Sequence, residues 1–214
     1  MSRATSPAAG DKKPDRRRGR SRQACLNAFI ELLLTTDYEI ITVNDVIERA
    51  KVGRSTFYDY FTGKEDLLRE CAANPFGLLA DSLQEAADPA VLAGVLAHFR
   101  VQRRLVRRLL GGDTRALMVR SLAALIEARV GPGWPPGASA PTPVRLASLA
   151  LAEMQLGMVA QWLEHSLEAC PSEAFARVMG PASRSVADSF RGADSLRGLA
   201  QPVAGPIEPV RPLP

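Results

Sequence analysis

Hydrophobic residues between positions 41 and 68 recur at helical spacing in three short segments with almost no loop between them. The first segment has Val43, Val46, Ile47 and Ala50 at i, i+3, i+4 and i+7, on one face of a helix of about two turns. Phe57 and Phe61 are four residues apart and predict a second helix, from Arg54 to Phe61, with its polar residues outward. A third helix is predicted to begin near Lys64.

Residues typical of helix ends lie at each junction. Thr42 is positioned to cap the first helix, with Asp45 three residues later as a capping-box variant. The sequence Lys51-Val52-Gly53 follows, and glycine accepts the backbone angles and the close helix approach that a sharp turn requires. Thr62-Gly63-Lys64-Glu65 matches a capping box for the third helix. The segment is therefore predicted to be a helix-turn-helix.

The sequences TFYDYF at 56–61 and KEDLL at 64–68 add a family resemblance to this pattern. Residues ~22–70 resemble the DNA-binding head of the TetR family, the tetracycline-repressor-like regulators. That family's pattern of T-V-x-D-I/V, a short turn, S/T-T-F-Y-x-Y/H-F and K-E-x-L-L is matched almost throughout. The resemblance implies a homodimer that binds palindromic double-stranded DNA, most often as a repressor. It also implies an unknown small-molecule effector bound in a helical body.

The second helix supplies the candidates for contacts with DNA bases. Its outward residues are Arg54, Ser55, Thr56, Tyr58 and Asp59. Arg54 can bond guanine O6 and N7, and the Thr56 methyl group can meet a thymine methyl group. For Tyr58, packing against its neighbours is the alternative.

Phosphate contacts are expected from two further groups of residues. By resemblance these include Thr42, Tyr60 and Lys64, the last at a helix N-terminus that favours an anion. The net charge of +4 is concentrated at the start of the chain, where the first 24 residues carry +6 and the remainder −2. The arm residues expected to reach phosphates or the minor groove are Arg16, Arg17, Arg18 and Arg20. A solvated, solubilising tail is the alternative.

Beyond these segments, the hydrophobic pattern and the proline positions predict only helices. A first helix over 21–35 closes the head, and a connecting helix runs on from Lys64. Asn74-Pro75-Phe76-Gly77 interrupts that helix, either as a kink or as the end of one helix before another starts at Leu78. Body helices are predicted near 89–110, 114–129, 143–169 and 172–190.

The predicted fold class is all-α, with an N-terminal three-helix helix-turn-helix head joined by a connecting helix to an α-helical ligand-binding and dimerisation body. The expected divisions are a disordered basic arm over 1–20, the DNA-binding domain over 21–70, the effector-binding and dimerisation domain over 71–190, and a disordered proline-rich tail over 191–214.

The predicted 143–169 helix is apolar nearly all round and must be covered on two sides. The body offers one covering layer, so a second subunit is the simplest source of the other, and Leu163 is a candidate partner-facing residue. The inner face of this helix is also expected to meet a hydrophobic or amphipathic effector. The expected pocket residues are Leu79, Leu83, Met154, Met158 and Trp162, for which ordinary core packing is the alternative.

The predicted 89–110 helix carries an arginine stripe that has two interpretations. Its members are Arg100, Arg103, Arg104, Arg107 and Arg108, at i, i+3, i+4, i+7 and i+8. Such a stripe is either a solvated face or a wall that binds a phosphate- or carboxylate-bearing ligand.

Other classes of protein are disfavoured by what the sequence lacks. No apolar stretch follows the basic N-terminus and no apolar run reaches the ~18 residues of a membrane span, so a cytoplasmic protein is expected. Cys25, Cys71 and Cys170 lack the spacing of a disulfide framework or a zinc site. No catalytic motif occurs, so neither enzymatic activity nor a cofactor is expected. Two alternatives stay open: a helical dimer whose head serves as a protein-interaction module, and an enzyme with an appended DNA-binding head.

Overall fold

A computed structural model describes residues 13–131, 142–165 and 170–193, and in these ranges the chain forms nine helices and no strand. They are α1 Lys13–Thr35, α2 Val43–Ala50, α3 Arg54–Tyr58, α4 Lys64–Asp81, α5 Pro89–Val101, α6 Arg103–Leu109, α7 Thr114–Val130, α8 Thr142–His165 and α9 Ser172–Ala193. The all-α prediction is confirmed, and several of the predicted boundaries are corrected.

The first helix begins at Lys13 instead of the predicted Ser21. Residues 13–20, expected to belong to a disordered arm, are therefore helical, while residues 1–12 lie outside the described part of the chain. Pro14 suits a first helical turn, and arginine is a good helix former, so the local sequence permits this extension.

The head is built on α1, which packs against α2, α3 and the beginning of α4. Phe29 of α1, Val46 of α2 and Phe57 of α3 are all 0% exposed, and Leu67 of α4 completes this cluster at 0%. Each fully buried side chain of this size stabilises the fold by roughly 1.5–3 kcal/mol. The short helices α2 and α3 are thus held by tertiary packing, because a five-residue helix is not stable alone.

The predicted interruption at 74–77 does not end a helix, because α4 runs unbroken from Lys64 to Asp81 with Pro75 inside it. Pro75 lacks an N–H group, so the carbonyl of Cys71 loses its helical donor, a cost of about 3 kcal/mol. Burial of Phe76 at 5% exposure and Leu79 at 0% offsets this cost. The expected boundary between residues 70 and 71 lies within this single helix.

The body contains two long layers, with α7 packed along both α4 and α8, and α9 packed along α5 and α8. Asp88 accepts a hydrogen bond from the Ala90 N–H at 2.8 Å and Pro89 occupies the first turn, as the sequence predicts for the start of α5. The predicted 89–110 helix is divided at Gln102, whose backbone angles are φ −93° and ψ 23°. The arginine stripe is therefore not one continuous face.

Helix α8 is covered largely by its own chain. Leu163, the candidate partner-facing residue, is 2% exposed and belongs to the core of the single chain, so that assignment is wrong. Leu146 is 62% exposed near the start of the same helix.

By length and a mean hydropathy of 1.2, Val144–His165 could cross a membrane, contrary to the expectation that no segment reaches that length. Half of that stretch is buried inside the fold, as in the core helix of a soluble protein.

Candidate nucleic-acid interface

The start of α2 is fixed by the predicted reciprocal cap. The Asp45 N–H donates to the Thr42 hydroxyl oxygen at 3.2 Å, and the Thr42 N–H and hydroxyl each donate to Asp45 Oδ2 at 2.8 Å. The backbone N–H of Thr42 and then its hydroxyl lower the pKa of Asp45, because both stabilise the carboxylate. Thr42 is exposed, but its donors are engaged within the cap.

The turn between α2 and α3 depends on Lys51 and not on Gly53. Lys51 has φ 53° and ψ 43°, the left-handed conformation that ends a helix, and its N–H donates to the Glu48 carbonyl at 3.3 Å. Gly53 has φ −73° and ψ 151°, which any residue adopts. The sequence-based role for glycine at this turn is therefore wrong.

Helix α3 is anchored by two phenylalanines. Phe57 is 0% and Phe61 2% exposed, and their ring centroids are 5.6 Å apart. The α-helix itself ends at Tyr58, earlier than predicted, but the Phe61 N–H donates to the Phe57 carbonyl at 3.0 Å and extends the turn. This packing fixes which side of α3 faces solvent.

Four of the five residues predicted to point outward from α3 are exposed. Arg54, Ser55, Tyr58 and Asp59 are exposed, while Thr56 is partly buried. Tyr58 is 50% exposed, and its ring meets Phe57 edge to face at a centroid distance of 5.3 Å. Tyr58 thus both packs and presents its ring to solvent. Tyr60 is partly buried and packs against the core.

The ammonium group of Lys64 is hydrogen-bonded within the protein. Its ammonium donates to the carbonyls of Tyr38 at 2.8 Å, Ile41 at 3.0 Å and Glu39 at 3.1 Å. These three bonds use its three N–H donors, so the ammonium has a structural role in this chain. Lys64 ties the 38–41 loop to the start of α4.

The predicted capping box at 62–65 does not form. Thr62 donates from its N–H to Asp66 Oδ2 at 3.1 Å and from its hydroxyl to the same oxygen at 3.4 Å, while the N-cap residue of α4 is Gly63, without a side-chain cap. Glu65 instead forms an ion pair with Arg69 at 3.3 Å.

The basic residues near α3 differ in how they are compensated. Arg49 pairs with Glu31 at 3.2 Å, and Arg22 pairs with Glu70. Lys51 is exposed, and neither it nor Arg54 forms an ion pair within the described ranges. The sequence analysis did not identify Lys51 as a candidate DNA contact. Its position three residues before Arg54, at the start of α3, could have indicated one.

The arginines of the expected N-terminal arm lie in the first half of α1. Arg20 is exposed there. Arg16, Arg17 and Arg18 have helical backbone, and their side chains lie outside the described part of the structure.

A second feature is an apolar cavity of about 280 Å³ between head and body. It is bounded by Ile30 and Leu33 of α1, Cys71 of α4, Phe99 of α5 and Val106 of α6, among others. Burial raises the pKa of the Cys71 thiol to about 12. Among the described residues, no three His, Cys, Asp or Glu side chains are grouped as metal ligands.

The five predicted effector-pocket residues do not line this cavity. Leu79, Leu83 and Trp162 are 0%, 5% and 3% exposed and fill the core, while Met154 and Met158 pack partly buried against it. Trp162 stacks on Phe175 at 4.9 Å and donates its indole N–H to the Cys170 carbonyl at 2.8 Å. The unbroken course of α4 directs Leu79 into the core.

Comparison with known proteins gives a family match in the head. Residues 26–71 match the family model described as bacterial regulatory proteins, tetR family. The chain is 35% identical over 80 residues to YxbF, an uncharacterized HTH-type transcriptional regulator of Bacillus subtilis (strain 168). It is 40% identical over 52 residues to DhaS, the HTH-type dhaKLM operon transcriptional activator of Lactococcus lactis. These segments cover 37% and 24% of this chain, and span only 21% and 28% of the two relatives.

A solved structure extends the similarity into the body. The TetR transcriptional regulator of Streptococcus agalactiae 2603V is 27% identical and superposes with a TM-score of 0.52. The match covers 79% of this chain and 97% of that one. The arrangement of head and helical body is therefore shared with a regulator of that kind.

Proposed function

Because the chain belongs to the tetR family of bacterial regulatory proteins, we propose that it is a ligand-responsive repressor that binds a palindromic operator as a homodimer. The observation that supports this function most directly is the exposed polar face of α3. Arg54, Ser55 and Asp59 are exposed on a helix whose opposite side is anchored by buried Phe57. A helix held in this way can enter the major groove without rearranging its core.

Base recognition is assigned to the outward face of α3. Arg54 bonds guanine in this proposal, and Tyr58 adds apolar and hydrogen-bonding contacts from its exposed ring. Lys51 takes over the phosphate contact expected of Lys64, since its ammonium is exposed beside the start of α3. Arg20 and the other α1 arginines add positive charge, which strengthens binding to any DNA sequence.

The homodimer is proposed to form through α8 and α9, which pack beside each other in the chain. Leu146 on α8 is 62% and Val178 on α9 is 59% exposed, large apolar side chains that a partner would cover. Two-fold symmetry then presents two α3 helices to successive major grooves, about 34–36 Å apart or somewhat more. The two-fold symmetry accounts for a palindromic operator, and the spacing sets the separation of its half-sites.

Repression is the proposed direction of regulation. Repression is the commoner mode expected from the resemblance, whereas one relative, DhaS, is described as an activator. That similarity covers only 24% of this chain, all in one segment, and so does not assign activation here. The protein is proposed to act in the cytoplasm by binding alone, without turnover of its effector or a cofactor.

A mobility-shift assay with the full-length protein and the DNA flanking its own gene tests this function. We expect retardation by a dimer, at a site whose footprint shows two-fold symmetry. Failure to retard this DNA, together with specific capture of another protein by the head, would instead support the interaction-module alternative. Conversion of a bound small molecule to a product would support the enzyme alternative.

A further inference from the structure

The lining of the 280 Å³ cavity limits the chemistry of what it can bind. Its walls include no Asp, Glu, Lys or Arg side chain, and the polar side chains are His98, Gln102 and the Cys71 thiol. Burying a charged ligand against such walls costs several kcal/mol, which a neutral ligand avoids. A cavity of ~150 Å³ holds benzene, so 280 Å³ fits roughly eleven non-hydrogen atoms.

One wall of this cavity is attached more loosely than the others. Helix α6 has no buried residue, and Leu105, Val106 and Leu109 are only partly buried where they line the cavity. Gln102, with φ −93° and ψ 23°, separates α6 from α5, so the seven-residue α6 is not the end of one longer helix. Elements with few buried contacts move at lower free-energy cost than core helices.

The outer side of α6 is bonded to the head. Arg108 donates to Asp37 Oδ1 at 2.5 Å and to the Leu33 carbonyl at 3.2 Å. Leu33 also lines the cavity from the C-terminal half of α1. A displacement of α6 by a ligand therefore changes the position of the guanidinium that holds the end of α1 and the loop after it.

The neighbouring arginine makes a different contact. Arg107 forms an ion pair with Glu164 of α8 at 3.3 Å and does not contact the head. Two of the five stripe arginines, Arg107 and Arg108, are therefore paired with carboxylates. This difference provides a matched control on the same helix.

We propose that the cavity between α1, α4, α5 and α6 binds a neutral, largely hydrocarbon ligand of about eleven non-hydrogen atoms with one polar end, and that α6 and Arg108 transmit its presence to the head. The polar end meets His98 or Gln102, the exposed and partly exposed polar residues of the lining. The transmission step rests on the DNA-binding function proposed above. The assignment of the ligand class does not rest on that function.

Binding of 1-decanol, which has eleven non-hydrogen atoms, tests the ligand class by calorimetry on the full-length protein. We expect decanol to bind at least about ten-fold more tightly than decanoate, since ten-fold corresponds to only 1.4 kcal/mol. Val106→Phe should weaken decanol binding by a similar factor, whereas Val101→Phe, at a residue 78% exposed outside the lining, should not. Equal binding of decanoate, or unchanged binding by a folded Val106→Phe protein, overturns the assignment.

A second measurement needs no cavity variant. Cys71 lines the cavity and Cys25 is fully buried, so Cys170→Ser leaves Cys71 as the accessible thiol. Decanol at ten times its dissociation constant should slow modification of Cys71 by N-ethylmaleimide about ten-fold, because about one molecule in eleven remains free. An unchanged rate at that concentration overturns binding in this cavity.

Operator affinity tests the transmission step. Saturating decanol should change the affinity of the wild-type protein for its flanking DNA at least five-fold, the usual lower bound of allosteric coupling. Arg107→Gln should keep this response, and Arg108→Gln should bind decanol normally while its response falls below about two-fold. A full response in Arg108→Gln, or none in the wild type despite decanol binding, overturns transmission. Absence of DNA binding without decanol instead contradicts the proposed function, while the calorimetric result stands separately.

Discussion

The ammonium of Lys64 lies 4.4 Å above the ring centroid of Tyr38 and bonds the carbonyl of the same residue at 2.8 Å. With the bonds to Glu39 and Ile41, this contact closes the loop that precedes α2 onto the start of α4. A lysine in a DNA-binding head thus stabilises the position of Thr42 and the α2 cap.

Lys64→Met is expected to lower the free energy of unfolding by about 1.5–3 kcal/mol, because it removes charge-assisted hydrogen bonds to carbonyls left without a donor. Urea unfolding measures this loss. The slope of DNA affinity against salt concentration should stay unchanged, since the three N–H donors of the ammonium are already bonded to backbone carbonyls. A slope lowered by about one would restore the phosphate contact that the sequence suggested.

Lys51→Ala is expected to have the opposite effect on the salt dependence of DNA affinity. The side chain is exposed without an ion-pair partner among the described residues, so its removal should lower the salt slope by about one and weaken all sequences alike. Measurement of operator affinity at several salt concentrations decides the point. An unaltered slope would remove Lys51 from the interface.

Arg54→Ala is expected to cost about 1–3 kcal/mol of operator binding and to relax the preference at one base pair, because a bidentate contact with guanine is lost. Affinities for a set of single-base operator variants measure both effects. Arg49→Ala is the control, since Arg49 is occupied by Glu31. If the ranking of operator variants survives Arg54→Ala, base recognition lies elsewhere on α3.

Lys51→Gly should raise the free energy of unfolding by about 1 kcal/mol, because a left-handed conformation costs about 1–2 kcal/mol for a residue with a Cβ atom. Gly53→Ala should be nearly neutral, since a Cβ atom there would lie 3.6 Å from its nearest neighbour, Thr56 Oγ1. Thermal unfolding of the two variants tests the assignment. Marked destabilisation by Gly53→Ala with no gain from Lys51→Gly would contradict it.

The α2 cap predicts an acid-sensitive contribution to stability. The pKa of Asp45 is lowered from its ordinary value of 3.8 in the folded state, so the stabilisation is complete above that value. It is lost as the pH falls through the lower, folded pKa. Unfolding measured between about pH 5 and pH 2 should show this loss in the wild type and a smaller one in Asp45→Asn. An identical acid dependence in both proteins would argue against the cap.

Leu146→Glu and Leu163→Glu should have different consequences. A charge at exposed Leu146 would be buried only by a partner, so the dimer dissociation constant should rise at least a hundred-fold while the subunit stays folded. At Leu163, 2% exposed, the same charge should destabilise the subunit itself. Sedimentation velocity and circular dichroism separate these outcomes. A Leu146→Glu protein that remains dimeric would place the interface elsewhere.

The head was predictable because its information is local. The spacing of Phe57 and Phe61 defines the buried side of α3, and Thr42 with Asp45 forms a cap within four residues. The bonds of Lys64 could not be predicted, because its acceptors lie 23 to 26 residues earlier in the chain, beyond any local pattern.

The body was harder to predict for the same physical reason. Pro75 lies inside α4, where burial of Phe76 and Leu79 offsets its cost, and nothing in the sequence around Gln102 indicates that a helix ends there. The cavity depends on how α1 meets α5 and α6, which are far apart in sequence. Tertiary contacts of this kind decide where side chains converge, and the helical periodicity of the sequence does not predict such contacts.

The unbroken α4 makes the head and the body parts of one cooperative unit. Leu67 and Leu68 are buried in its first half, and Leu79 and Ala80 are buried in its second half. Unfolding of either half of α4 therefore exposes apolar side chains to water. Eighteen residues form a rod about 27 Å long, and a tilt of about 5° about one end moves the other by roughly 2 Å. The protein should consequently melt in a single transition, and a proteolytic cut within 64–81 should release no separately folded head.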